Sequence, residues 1–190
     1  MKIRWIPVVA LFFLALSGCD LFSTRSPESP DTGRGSWEIP RVPEDVLTNM
    51  SHAMSERNSV NYLLSFDSEK FEFEADPEAL QQNSSMAGWN YQDESDHINR
   101  LFSEGTLPHD SSVAVVFLTI EPTTLGDSAE VIADYSFRAE VALAGSPGPM
   151  AGTARFFLHI GESGYWTIYY WRDQRTEEQS TWSDLKSLVQ

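Results

Sequence analysis

A chain of 190 residues sets 28 acidic side chains against 13 basic ones, and its formal charge of −15 creates a field that repels nucleic-acid backbones and anionic lipid headgroups. Electrostatic binding to either is thereby excluded. A single cysteine rules out an intrachain disulfide, so the fold has to stand on hydrophobic burial, for which 41 % apolar and 12 % aromatic residues suffice.

From the amino terminus, Lys2 and Arg4 precede an apolar run, Trp5 to Leu16, interrupted by Pro7. A bilayer span takes about 20 apolar residues, so this run is too short to cross and reads as the h-region of a signal peptide. It leads into Leu16-Ser17-Gly18-Cys19, where small residues admit the backbone to a peptidase site just before the chain's one cysteine. The pattern resembles bacterial lipoprotein precursors. The resemblance implies removal of residues 1–18, modification of Cys19 with a diacylglyceryl group, and acylation of the new amino terminus, with palmitate among the chains. It also implies a protein of the bacterial cell envelope, attached to a membrane through Cys19 with its domain outside the cytoplasm. One acyl chain holds marginally, whereas two or three hold permanently. With Lys2 and Arg4 gone, the basic count falls from 13 to 11 against an unchanged 28 acidic residues, a formal charge of −17.

Residues 19–40 are rich in Ser, Pro, Gly and Thr and lack apolar periodicity, which predicts a disordered tether with an end-to-end distance on the order of 25 Å. The remaining stretch, 41–190, is read as one domain. Pro43-Glu44-Asp45 opens a helix, with carboxylates at the positive end of its dipole. Val46, Leu47, Met50, Ala53 and Met54 form its apolar stripe, and Asn58 is its stop. Ser59 is expected to cap a short second helix, and Phe66, Phe71 and Phe73 suggest a strand ending at Asp76-Pro77. Residues 78–92 read as loop. Asp93 to Asp96 opens a third helix carrying Ile98, Leu101 and Phe102 and ending at Gly105.

The period then changes. Ser112 to Glu121 is a near-continuous apolar run, as in a strand covered on both faces or nearly so. From Ala129 to Leu143 the chain alternates, with Val131, Ala133, Tyr135, Phe137, Ala139, Val141 and Leu143 on one face and Asp134, Ser136, Arg138 and Glu140 on the other. Thr153 to Ile160 and Tyr165 to Asp173 continue as strands around the hairpin loop Gly161-Glu162-Ser163-Gly164. Trp182, Leu185, Leu188 and Val189 mark a short helix that docks on the domain.

This order of elements resembles the nuclear transport factor 2-like superfamily, also called cystatin-like or ketosteroid-isomerase-like. The local likeness is to bacterial lipoproteins of that superfamily. It rests on Pro43 to Phe73, on Trp89 with Asp93 to Phe102, and on Tyr169-Tyr170-Trp171-Arg172-Asp173 followed by Trp182-Ser183-Asp184-Leu185-Lys186. It implies an α+β fold in which a curved, mainly antiparallel sheet wraps N-terminal helices into a cone. Enzymes of the superfamily set an Asp or a His-Asp pair inside that apolar cone, where burial tunes the acid for proton transfer.

No such acid stands out here, since the apolar face of the alternating strand carries Tyr135 and Phe137 but no carboxylate. Tyr135, Phe137, Trp166 and Tyr170 are the aromatic residues proposed to line a pocket. His159 shares a strand face with Arg155 and Phe157, a face that is either inner or outer. Asp93, Asp96 and His97, with His109-Asp110 beyond the helix, contain metal-ligand types, but carboxylates at a helix start are favoured for dipole reasons alone; no metal and no cofactor are expected. Gly161-Glu162-Ser163-Gly164-Tyr165 lacks the final Gly of a nucleophile elbow and lies between two strands. Two functions remain: a non-catalytic, membrane-tethered domain binding a partner protein or a small apolar ligand, or a small-molecule isomerase, dehydratase or hydrolase. The missing inward acid favours the first.

Overall fold

The computed structural model describes residues 35–190, so the leader, Cys19 and most of the tether lie outside the described residues. The first helix, α1 (Pro43–Ser55), begins where the sequence places it, because Asp45 folds back to accept from the backbone N–H groups of Arg41 and Val42 at 2.8 and 3.1 Å. Its entire predicted stripe, Val46 to Met54, is buried. Helix α2 (Ser59–Leu63) is capped by Asn58, not Ser59: the Asn58 carboxamide accepts from Asn61 N–H at 3.0 Å.

Strand β1 (Glu72–Glu74) is shorter than the three phenylalanines suggest, because Phe66 makes only an isolated bridge to Ile168. The stretch read as loop is structured. Asp76 caps helix α3 (Pro77–Gln82) by accepting from Glu78 N–H, a 3₁₀ turn follows at Ser84–Met86, and β2 (Trp89–Asn90) pairs with β1. Asp76-Pro77-Glu78 is a helix-start signature; in these two helical pieces Ala79 and Met86 are buried, too few to give a periodic stripe. Helix α4 (Tyr91–Leu101) starts ahead of the predicted Asp93, since Asn90 is the cap and Asp93 closes the capping box from the third position.

Four long strands follow: β3 (Val113–Leu125), β4 (Ser128–Ala139), β5 (Met150–Ile160) and β6 (Trp166–Gln174), before helix α5 (Trp182–Leu188). The sheet order is β2-β1-β6-β5-β4-β3, antiparallel except where β1 lies parallel to β6. Strand β3 is thus an edge strand, and its side-chain burial shows that it is not covered on both faces. Val113 and Val115 point inward, while Val116 and Leu118 are 52 % and 68 % exposed on its outer side, next to a bulge between Phe117 and Thr119. On β4 the alternation holds, with Val131, Ala133, Tyr135 and Phe137 buried and Asp134, Ser136 and Arg138 exposed, although the strand ends at Ala139, short of the predicted Leu143.

Inside the cone, α5 supplies the centre of the packing. The Trp182 ring sits 4.6 Å from Phe137, 4.7 Å from Trp171 and 5.7 Å from Tyr135 by centroid. The last residues of the predicted tether also pack on the domain. Glu38 exchanges two hydrogen bonds with the Asn49 side chain, and Pro40 C=O accepts from Trp166 N–H. No helix among the described residues is long and apolar enough to cross a membrane.

The face assignment predicts unequal costs for adjacent residues. Phe137→Ala should cost about 3–5 kcal/mol by leaving a cavity under Trp182, whereas Arg138→Ala should stay within about 0.5 kcal/mol. Denaturant midpoints measure both, and a larger loss at Arg138 would reverse the register.

Candidate functional site

The centre of the cone is polar. On α4, Glu94, His97, Ile98 and Leu101 stand at i, i+3, i+4 and i+7, so a carboxylate and an imidazole share the buried stripe with two aliphatics. On α5 and its C-cap, Trp182, Leu185, Lys186 and Val189 repeat that spacing, which carries a lysine inward. The Lys186 ammonium donates to Glu94 Oε2, and both side chains are fully buried. Tyr62 Oη donates to Glu94 Oε1 at 2.7 Å and Trp89 Nε1 donates to Oε2 at 2.8 Å. Three rings surround the Lys186 Nζ, with centroids at 4.5 Å for Phe73, 4.6 Å for Trp171 and 5.1 Å for Trp89.

Burial by itself would push the Glu94 carboxyl up, but the Lys186 ammonium and the surrounding donors overcome it and hold the group below the usual carboxylate range. The same burial pulls Lys186 down from its ordinary value, and the Glu94 charge opposes that pull. Beside them, His97 Nδ1 lies 2.8 Å from Val189 C=O while its Nε2 is buried without a hydrogen-bond partner among the described residues. Burial, reinforced by the Lys186 cation, pushes the imidazole down to about 4.

A second inward carboxylate, Asp173 on β6, receives Tyr135 Oη at 2.7 Å, Ser183 N–H at 2.8 Å and Ser183 Oγ at 2.6 Å. Tyr135 Oη in turn accepts from Trp182 N–H at 2.8 Å. Burial raises the Asp173 carboxyl, against the lowering effect of these hydrogen bonds. Gly152 stands opposite Tyr135 on β5, and a Cβ there would come within 2.8 Å of the phenol oxygen, so this network requires glycine at that position. The cone therefore does contain inward acids, contrary to the sequence reading. Both are bonded to the chain's own donors.

The four aromatics proposed for a pocket do not converge on one cavity. Tyr135 and Phe137 both pack on Trp182, and Trp166 is buried elsewhere with its Nε1 donating to Arg41 C=O at 3.1 Å. Tyr170 lies on the outer face, where it donates to Glu74 and meets the Phe157 ring at 5.6 Å. His159 is also on the outer side of β5. Its Nε2 is 2.6 Å from Asp67 Oδ2, beside a cleft of about 480 Å³ that Lys70, Tyr91 and Tyr165 help to line. Asp93, Asp96 and His97 diverge, and among the described residues no group of three or more His, Cys, Asp and Glu side chains is placed to hold a metal.

The state of His97 gives a pH dependence with a definite sign. Its folded-state value of about 4 lies below the ordinary 6.5, so the stability that neutral His97 contributes is complete above pH 6.5 and is lost as the pH falls toward 4. The loss should be on the order of 3 kcal/mol. Denaturant midpoints between pH 7 and 4 should fall more steeply for the wild type than for His97→Met, whose curve lacks this proton; parallel curves would assign the acid loss to other groups.

No family model and no curated protein sequence matches the chain. Solved structures do. A nuclear transport factor 2 (NTF2-like) superfamily protein from Salmonella enterica superposes with a TM-score of 0.55 at 12 % identity, over 70 % of this chain and 88 % of that one. Bd1075 from Bdellovibrio bacteriovorus gives 0.51 at 12 % identity over 72 % of this chain and 40 % of its own length. An NTF2-like protein from Cytophaga hutchinsonii gives 0.50 at 12 % identity over 70 % and 94 %. At such identities the likeness speaks for the fold alone, and that fold is NTF2-like: helices packed on a curved, mainly antiparallel sheet.

Proposed function

We propose that this chain is a non-catalytic NTF2-like domain, anchored in the bacterial cell envelope by lipid on Cys19, that offers its outer surface to a partner protein. One observation carries the non-catalytic reading: α5 fills the cone, and the two oxygens of Glu94 are occupied by Tyr62, Trp89 and Lys186. An acid so bonded has no oxygen turned toward a substrate. The same packing speaks against a small apolar ligand within the cone, because Trp182 and Leu185 are buried there. The isomerase, dehydratase or hydrolase alternative needs an open cone with a free acid.

A protein partner finds support on the outside. Strand β3 runs for 13 residues along the sheet edge and exposes Val116 and Leu118 there. A long edge with apolar side chains is a template for an added strand. The anchoring reading rests on the Leu16 to Cys19 motif.

Two experiments test the two halves. Labelled palmitate should enter the wild type and not Cys19→Ser; equal labelling of both would remove the anchor. A photo-reactive residue at Leu118, placed in the full chain in its cells, should give a discrete adduct that the same residue at exposed Glu104 does not. Identical patterns at both positions, or saturable one-to-one binding of an apolar dye that quenches the buried tryptophans, would overturn the partner reading.

A further inference from the structure

The polar centre of the cone has the make-up of a ligand site whose ligand belongs to the chain itself. Its walls come from elements other than α5: Tyr62 from α2, Phe73 from β1, Trp89 from β2, Glu94 from α4 and Trp171 from β6. Tyr62 and Trp89 orient the carboxylate through their own hydrogen bonds, without help from the lysine. The cation alone is delivered by α5, which follows the exposed segment Thr176 to Gln179.

We propose that this box, three aromatic rings and one oriented carboxylate, is a binding site for an alkylammonium group, and that Lys186 occupies it in cis. The contacts of the Nζ are the reason. An ammonium carries three N–H donors, yet among the described residues Lys186 hydrogen-bonds one oxygen acceptor, Glu94, and otherwise faces the rings of Phe73, Trp89 and Trp171. A lysine buried for charge pairing alone gains most from further oxygen acceptors on its remaining protons. Ring faces instead suit a cation with alkyl groups, whose charge they attract without needing a proton to donate. The site should therefore accept primary and methylated alkylammonium groups alike and reject neutral molecules of the same shape. Two buried ring nitrogens close by, His97 Nε2 and Trp171 Nε1, have no hydrogen-bond partner among the described residues, so the wall is not saturated by their polar groups. This inference is independent of the lipid anchor and of any partner on the outer surface.

The test is chemical rescue in the full chain. Lys186→Ala removes the alkyl stem and the charge while leaving Glu94 with Tyr62 and Trp89, and it should lower the Tm by about 10 °C. Adding n-propylammonium or tetramethylammonium chloride should restore at least half of that loss saturably, whereas n-propanol and sodium chloride at matched concentration should not. Rescue should vanish in Lys186→Ala with Glu94→Gln, and in Lys186→Met, where the stem fills the space. If Lys186→Ala does not accumulate folded, refolding yield from denaturant with each additive gives the same comparison. Equal effects of the ammonium salts and sodium chloride on the alanine variant, in either assay, would overturn the proposal and leave a plain ion pair.

Discussion

Burying a lysine and a glutamate together at the centre of a small domain is the constraint around which this fold is arranged. Each ion loses its hydration, and the loss is offset only if the geometry is good and the remaining polar atoms are bonded. That requirement explains why a tyrosine and a tryptophan from separate elements converge on Glu94, and why aromatic rings rather than aliphatics surround Lys186. It also explains why His97 stays neutral, since a second cation beside Lys186 would have no counter-charge.

The second carboxylate serves the same helix differently. Asp173 takes both the N–H and the hydroxyl of Ser183, while Tyr135 bridges Asp173 to the N–H of Trp182. These are donors that the first turn of α5 would otherwise leave unpaired in an apolar interior. One acid thus caps the helix and the other binds its side chain. Between them a helix of 7 residues, too short to be stable by its own hydrogen bonds, is fixed in place by tertiary contacts.

Much of this architecture is legible in the residues. The alternation of β4 gives the inner and outer faces, and the stripe of α1 gives its buried side. What the sequence hid were the polar members of otherwise apolar stripes. Glu94 and Lys186 occupy positions where periodicity predicts an aliphatic, and a reading that counts only apolar residues passes over them. Their spacing relative to Ile98 and Leu101, and to Trp182 and Leu185, was the available signal. The pairing of His159 with Asp67 had none, because 92 residues separate them and a loop brings the aspartate to the strand. Strand β3 misled for another reason: an apolar run suggests two covered faces, but the outer face of the sheet is open here, on β3 as on the neighbouring β4.

Asp173 holds α5 from only 10 residues away, but other polar anchors of the helix are remote along the chain. Ser183 meets Asp76 across 107 residues, Lys186 meets Glu94 across 92, and Val189 meets His97 across 92. Loops of that length make closure slow, since the entropy of ordering the intervening chain is lost before any of these bonds forms. Until Lys186 arrives, the Glu94 carboxylate has Tyr62 and Trp89 as donors but no counter-charge in its buried surroundings. Docking of α5 therefore ties the end of the chain to residues 92 to 107 positions earlier, and the closure entropy of that span is set against the bonds at Asp76, Glu94 and His97.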